Sequence, residues 1–383
     1  MNLVAPFGFY GAGNIGDEAT LQGFARLLTG YQRNIKVWVA SRNPTHTARV
    51  EAGFNYFNVS GFDPRRMWAR YRSDACVVPG GTPIMDVLGD WPLSELTPLV
   101  QRADNEAKSV VFVGTGTERL ARQSSIQMMS EIIAPKVKHW TVRCEHDKER
   151  LTAYGVAPER VTVAADMAWL LNPVSTDFGR RYLETLGLGP EDRLLGVNIN
   201  AESFMLEQEP RFFEKLGACL DNLISQFNVR VLFLCNEVRE AASDDKAASL
   251  SVVTCMRNRD KAHVLPNEYW SPQQMMSLIG CCHVTVSTRY HFCLFSALQA
   301  VPFLAVKRSD KVVDLCWSMN WPFGVCLNEV GASFVYDMFD DIEKRKTHLA
   351  ETLRLQSHVM RNKAIHNRAA LDALFLKAGA STV

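Results

Sequence analysis

The chain has 383 residues, of which 47% are hydrophobic and 22% are charged, and its formal net charge is +1. This length predicts two domains, and the composition is typical of a globular protein. The nearly balanced charge argues against a protein that binds nucleic acid through bulk positive charge.

The N-terminal segment lacks a basic region followed by an apolar one, so we expect no signal peptide. No run of about 18 apolar residues occurs, so we expect no transmembrane helix. The ten cysteines are scattered through apolar runs without a CxxC pair, which indicates reduced thiols and no metal site. We therefore expect a cytoplasmic protein, which could also attach peripherally to the inner membrane surface.

Short β-branched runs alternate with amphipathic stretches along the first half of the chain. Predicted helices include Glu18–Leu28 and Ser124–Lys136. The predicted strands are Val4–Tyr10, Ile35–Ala40, Ala75–Val78, Ser109–Val113, Trp140–Arg143 and Val161–Ala164. This alternation is typical of an α/β domain with a mostly parallel sheet.

Residues 11–18, with the sequence GAGNIGDE, follow the first predicted strand and open a helix. The spacing fits a dinucleotide-binding loop, but Asp17 and Glu18 would compete with a pyrophosphate at the helix start. Asp17 could instead cap the helix. We rank a sugar-binding loop first, with Asn14 and Asp17 contacting hydroxyls and Gly13 as a further substrate-binding residue, then the cap, then the dinucleotide.

A basic segment with interleaved aromatic residues precedes the third predicted strand. Its arginines and apolar residues are Arg65, Arg66, Met67, Trp68, Arg70, Tyr71 and Arg72. The segment could contact an anionic acceptor or a membrane surface. We favour a solvated helix face with an apolar back.

Two further glycine loops follow strand ends, the first at Gly80 and Gly81 and the second at residues 114–117, which include Thr115. The carboxyl ends of parallel strands share one edge of the sheet, where ligands bind. We therefore expect these residues to line a substrate site. Arg143 ends another strand at the same edge and is a candidate anion clamp, although a surface charge is the alternative.

The pattern pauses near Asn172–Asp177, where we predict a domain boundary. The second set of predicted strands is Leu194–Asn198, Arg230–Cys235, Ser251–Thr254, His263–Leu265, His283–Ser287 and Phe303–Val306. The predicted fold is α/β, with two Rossmann-like domains, 1–175 and 176–332, that face a cleft. A helical C-terminal tail, 333–383, could pack back on the first domain.

Arg289 and His291 follow the predicted strand that ends at Ser287. Arginine offers a rigid fork to a carboxylate or phosphate, and histidine can transfer a proton near neutral pH. The pair therefore indicates an anionic substrate that needs a proton. A surface arginine beside a histidine satisfied in the core is the alternative.

Together these segments resemble the polysaccharide pyruvyl transferase family, in ordered pieces over residues 5–315. The matching residues are Gly11, Gly13, Asn14, Gly16, Asp17, Gly80, Gly81, Asp86, Gly114–Thr117, Val142, Arg143, Leu151–Val156, Arg289, His291, Val301, Pro302 and Lys311. A departure is Cys144, which follows Arg143 where the family often has an acidic residue.

The resemblance implies a two-domain fold of the GT-B type and transfer of a pyruvyl group from phosphoenolpyruvate to a sugar, which forms a pyruvate ketal. It implies no cofactor beyond phosphoenolpyruvate as co-substrate. The acceptor sugar could be lipid-linked, and the chain could form a homo-oligomer. A nucleotide-sugar glycosyltransferase and a non-catalytic binding protein of the same fold are the alternatives.

The resemblance also implies residue roles. Arg289, Arg143 and Lys311 would bind the carboxylate and phosphate of the donor. His291 would protonate the methylene carbon of the donor. Asn14 and Asp17 would orient the acceptor, and Asp17 could serve as the base.

Overall fold

The computed structural model of the protein describes residues 1–31, 34–87, 89–200, 202–238 and 245–375. The chain forms two compact units. The first comprises Met1–Ala12, Asp17–Leu171 and the described residues from Met360 onward, and the second comprises Gly13–Gly16 and Asn172–Val359. The short segment 13–16 therefore belongs to the second unit, although it lies near the start of the chain.

The first unit contains a parallel sheet of seven strands, in the order β3-β2-β1-β4-β5-β6-β7. The strands are β1 (Asn2–Ala5), β2 (Lys36–Ser41), β3 (Asn55–Asn58), β4 (Ala75–Pro79), β5 (Ser109–Thr115), β6 (Val137–Val142) and β7 (Val161–Val163). The helices are α1 (Ile15–Thr29), α2 (Pro44–Val50), α3 (Pro64–Arg72), α4 (Leu93–Asn105), α5 (Gln123–Gln127), α6 (Ala134–Lys136) and α7 (Glu145–Ala153). A π-helical turn, Met128–Ile133, joins α5 to α6.

Both faces of this first sheet are buried, because apolar side chains alternate between two separate cores. In β4, Cys76 and Val78 enter one core, whereas Ala75 and Val77 enter the other. Such double burial explains why these strands read as nearly continuous apolar runs in the sequence.

The second unit contains a parallel sheet of six strands, in the order β10-β9-β8-β11-β12-β13. The strands are β8 (Leu194–Asn198), β9 (Arg230–Phe233), β10 (Ala262–Val264), β11 (Val284–Ser287), β12 (Phe303–Lys307) and β13 (Gly324–Cys326). The helices are α8 (Asp177–Glu184), α9 (Ser203–Gln208), α10 (Phe212–Phe227), α11 (Asp245–Cys255), α12 (Pro272–Gly280), α13 (Tyr290–Leu298) and α14 (Asp310–Ser318).

The C-terminal part of the chain is helical, as predicted. It consists of α15 (Ala332–Ile365) and α16 (Arg368–Phe375), and residues 376–383 of the predicted tail lie outside the described residues. No helix among the described residues is both long enough and apolar enough to cross a lipid bilayer.

In each sheet the strand order reverses direction next to the strand that comes first in that unit, as in Rossmann-like folds. The reversal lies between β1 and β4 in the first sheet and between β8 and β11 in the second. The predicted α/β architecture with parallel sheets is therefore confirmed. These two switch points are the places where such sheets bind ligands beyond the carboxyl ends of the strands.

Two strand predictions differ from the structure, and two strands were not predicted. Ser251–Thr254 lies inside α11, whose buried residues Ala248 and Val252 follow the spacing of a helix face rather than that of a strand. The first strand ends at Ala5 instead of Tyr10. Strands β3 and β13, of four and three residues, have no counterpart in the prediction.

Candidate functional site

The carboxyl edge of the second sheet carries buried polar side chains on both sides of its switch point. Ser287, which ends β11, donates a hydrogen bond through its hydroxyl to Asn198 Oδ1 of β8 at 3.1 Å. Thr288 Oγ1 lies 2.9 Å from Asn200 Oδ1, and all four residues are fully buried. These side-chain bonds tie the ends of the two strands together and fix the backbone that leads into Arg289.

Two carboxylates hold Arg289 in place. Its Nε lies 2.8 Å from Asp245 Oδ1, and one terminal nitrogen lies 2.6 Å from Glu237 Oε2. Asp245 is fully buried and also accepts hydrogen bonds from the Asn198 side chain and the Asn236 backbone, each at 2.8 Å. Burial raises the pKa of Asp245, although the charge of Arg289 opposes that rise. The guanidinium predicted to clamp an anion therefore already has two carboxylate partners.

A second arginine, the half-buried Arg308, lies at the same edge beyond the end of β12. Its Nε donates a hydrogen bond to the Thr288 carbonyl oxygen at 2.8 Å, and its guanidinium pairs with Glu202. Burial lowers the pKa of Arg308, while the charge of Glu202 opposes that effect. Arg308 was not predicted as a site residue, although it follows a strand end just as Arg143 does.

The Glu202 carboxylate pairs with Arg308 and also feels the charges of two other cations. Burial disfavours the ionised form of Glu202, but the charges of Arg308, Arg289 and Lys311 together lower its pKa. Lys311 lies in the first turn of α14. Glu202 thus contacts Arg308 directly, whereas Arg289 and Lys311 favour its ionised form through their charge.

His291 is the second residue of α13 and is half-buried. Its ring centroid lies 5.1 Å from that of Tyr290 and 6.4 Å from that of Phe295. The ring also lies against Gly16, where an added methyl group would be 2.2 Å from His291 Nδ1. The imidazole therefore packs directly on the backbone of the glycine loop.

Segment 13–16 is fixed to the loop that follows β9. The Ile15 amide donates to the Asn236 carbonyl at 3.0 Å, and the Val238 amide donates to the Gly13 carbonyl at 2.8 Å. Asn14 Oδ1 accepts hydrogen bonds from the Gly16 amide at 2.9 Å and from the Asn236 side chain at 3.3 Å. Asn14 thus acts as the cap of α1.

Asp17 is the third residue of α1, so the alternative in which it caps that helix is wrong. Its neighbour Glu18 is fully buried and accepts a hydrogen bond from the Gly11 amide at 2.7 Å. Glu18 therefore stabilises the turn before the helix. The predicted role of Asp17, to orient the acceptor sugar and serve as the base, stays a prediction.

Replacing Gly16 with alanine is expected to slow the pyruvyl transfer expected from the sequence at least about tenfold. The new methyl group cannot coexist with the present position of the His291 ring. Steady-state turnover and a thermal melting curve measure the effect and show whether folding is preserved. Gly331→Ala is the matched control, since its methyl group would meet only ordinary contacts. Equal turnover in both variants would contradict the packing role of Gly16.

Arg143 lies at the carboxyl edge of the first sheet and is paired there. One terminal nitrogen lies 2.8 Å from Asp166 Oδ2, and its Nε donates to the Gly114 carbonyl at 3.2 Å. Its side chain is only 8% exposed, so the surface-charge alternative is wrong. Asp147 accepts hydrogen bonds from the Arg143 amide at 3.3 Å and from the Thr117 amide at 2.7 Å. These bonds join the end of β6 to the loop of residues 114–117.

Backbone conformation and close packing favour glycine at the two positions that follow β4. Gly80 and Gly81 have φ values of +67° and +71°, and a methyl group on Gly80 would lie 2.0 Å from Thr20 Cγ2. Thr115 is the last residue of β5 and has no exposed surface. Substrate contacts by these three residues remain predictions.

The structure divides the predicted site residues between the two units. The second unit holds Gly13, Asn14, Arg289, His291 and Lys311, and the first unit holds Asp17, Gly80, Gly81, Thr115 and Arg143. The residues that sequence analysis did not single out are Glu202, Glu237, Asp245 and Arg308.

Comparison with known proteins identifies one family. The family model described as polysaccharide pyruvyl transferase matches residues 14–310. A curated relative, the amylovoran biosynthesis protein AmsJ of Erwinia amylovora, is 21% identical over 265 residues, which cover 65% of this chain and 60% of that protein. The chain therefore matches less than two thirds of the length of that relative.

Solved structures show the same fold at low identity. A putative UDP-N-acetylglucosamine 2-epimerase from Listeria monocytogenes has a TM-score of 0.68 at 11% identity and covers 99% of this chain and 98% of its own. Anabaena HepE, solved with UDP and glucose, has a TM-score of 0.64 at 11% identity and covers 98% of this chain and 99% of its own. These similarities establish a GT-B-like fold.

Proposed function

The chain belongs to the polysaccharide pyruvyl transferase family, and we propose that it transfers a pyruvyl group from phosphoenolpyruvate to a sugar, which becomes a pyruvate ketal. The observation that carries this proposal is that Arg289 and Arg308 follow two paired strands, β11 and β12, at one edge of the second sheet, with Lys311 in the first turn of the next helix. Phosphoenolpyruvate has a carboxylate and a phosphate, so it needs several cations in one place. His291 follows Arg289 by two residues and supplies a proton donor.

In this proposal Arg308 and Lys311 bind the anionic groups of the donor once the Glu202 carboxylate yields its position. Arg289 contributes its charge from a guanidinium that Asp245 and Glu237 hold still. Such preorganisation means that little reorientation is needed when the donor binds. The role of Arg143 as a further donor clamp stays a proposal, and its pair with Asp166 would fix its orientation.

The chemistry begins with proton transfer from His291 to the methylene carbon of the donor, which becomes a methyl group. The neighbouring carbon becomes electron-poor and accepts the oxygen of a sugar hydroxyl, which loses its proton. Phosphate then leaves with the electron pair of the C–O bond, and a second hydroxyl closes the ketal. Asn14 would orient the acceptor, Asp17 would accept the proton of the first hydroxyl, and the departing phosphate would take up the proton of the second.

The experiment that tests this function is a phosphate-release assay with phosphoenolpyruvate and a panel of free and lipid-linked sugar acceptors. The expected result is acceptor-dependent phosphate release with a pyruvate ketal as the product. Thermal melting with phosphoenolpyruvate and with UDP-sugars tests the glycosyltransferase alternative, because a bound ligand raises the melting temperature. Stabilisation by UDP-sugars alone would favour that alternative, and no release with any acceptor would favour a binding protein.

Replacing Arg308 with methionine is expected to raise the KM for phosphoenolpyruvate about 10- to 100-fold, the range for hydrogen bonds to charged groups. Arg230→Met is the matched control, because Arg230 is also half-buried and paired, with Asp192 at 3.1 Å, but begins β9 at the opposite edge of the sheet. Steady-state kinetics measure the KM of both variants, and thermal melting curves show whether both are folded. An unchanged KM for Arg308→Met would argue against its contact with the donor.

A further inference from the structure

Helix α3 of the first unit presents apolar side chains to solvent. The exposed fraction is 71% for Met67, 50% for Trp68 and 83% for Tyr71, and Phe62 just before the helix is 87% exposed. We call these four residues the α3 patch. Single exposed apolar residues are ordinary, but a concentration of large ones within a short segment marks an interaction surface.

The arrangement on the helix is the reverse of that of an ordinary surface helix. Ala69 is the buried residue of α3, and at about 100° per residue Met67 and Tyr71 lie about 160° away from it. The expected solvated face with an apolar back is therefore wrong, because apolar side chains occupy the most exposed line of the helix. Trp68 anchors the helix through an edge-to-face contact with Trp38 at 4.9 Å between ring centroids.

Arginines flank this apolar line on both sides. Arg65 is paired with Asp63 at 2.7 Å and Arg70 with Glu106. Arg66 and Arg72 are exposed, and neither forms an ion pair with a carboxylate in the part of the chain that the structure describes. Apolar and aromatic tips between uncompensated arginines are suited to a surface that is apolar beneath an anionic layer.

From this geometry we propose that the α3 patch docks the protein on an anionic lipid bilayer. The rings of Phe62 and Tyr71 would enter the boundary between head groups and acyl chains, and Arg66 and Arg72 would bind lipid phosphates. A second copy of the chain fits less well, because a two-fold contact through this patch would bring the arginines of both copies together. The docking proposal does not depend on the proposed transferase function.

Sedimentation of the full chain with vesicles tests the docking surface. The expected result is binding to vesicles of phosphatidylglycerol and phosphatidylcholine, weaker at high salt, and little binding to pure phosphatidylcholine. Arg66→Ala with Arg72→Ala is expected to weaken binding about 30-fold, since each arginine near an anionic surface contributes about fivefold. Phe62→Ser with Tyr71→Ser should also weaken it, because less apolar area is buried.

Arg180→Ala with Arg181→Ala is the matched control, because these arginines are also neighbouring and exposed but lie on α8 of the second unit. The control is expected to bind like the unaltered protein. The proposal is overturned if the unaltered protein does not bind anionic vesicles, or if the α3 variants bind as well as the control does. A change from dimer to monomer in Phe62→Ser with Tyr71→Ser, without a loss of vesicle binding, would assign the patch to self-association instead.

Discussion

Replacing His291 with asparagine is expected to lower turnover by a factor of about 10² to 10⁴, the usual contribution of a well-placed general acid. Asparagine cannot deliver a proton near neutral pH, but it is no larger than histidine and can occupy the same space beside Gly16. The KM for phosphoenolpyruvate should change little, because the proton is needed in the transition state rather than for binding. Steady-state phosphate release with a sugar acceptor measures both constants.

His358→Asn is the matched control for this variant, because His358 is exposed on α15 of the same unit. The control should keep the turnover of the unaltered protein. A His291 variant with normal turnover would remove this residue from the proton-transfer step. A variant with normal kcat and a raised KM would assign it to phosphate binding instead.

Replacing Asp245 with alanine is expected to lower the free energy of unfolding by about 3–5 kcal/mol, as found when one partner of a buried ion pair is removed. The change leaves the Arg289 guanidinium buried with a single carboxylate partner, Glu237. It also removes the acceptor of the Asn198 side chain and of the Asn236 amide. Chemical denaturation followed by circular dichroism measures the loss.

Asp341→Ala is the control for Asp245→Ala, because Asp341 pairs with Arg345 at 2.9 Å while both side chains are 46% exposed. An exposed pair of this kind is worth only about 0.3–0.5 kcal/mol. Asp245→Asn should lose less stability than Asp245→Ala, since the amide oxygen can still accept hydrogen bonds. A loss below about 1 kcal/mol in Asp245→Ala would contradict the positioning role, since it is smaller than the penalty for breaking a buried pair.

Some residues of the candidate site could be predicted from the sequence and others could not. Arg289 and His291 were predictable because both follow an apolar strand, and Arg143 follows another. Asp245 gave no such signal, because a carboxylate in the first turn of a helix is common on electrostatic grounds alone. Only tertiary folding brings it under Arg289, and the same holds for Glu202 beside Arg308.

The sequence by itself determined the α/β architecture, because buried parallel strands require apolar β-branched runs and the helices between them require an amphipathic pattern. It also determined the helical C-terminus and the motifs of the family. The tertiary structure alone decided which charges are already compensated and that segment 13–16 packs with the second unit. The physical reason is that periodicity reports which face of an element is buried, whereas ion pairs and close backbone contacts join residues far apart in the chain and depend on the packed fold.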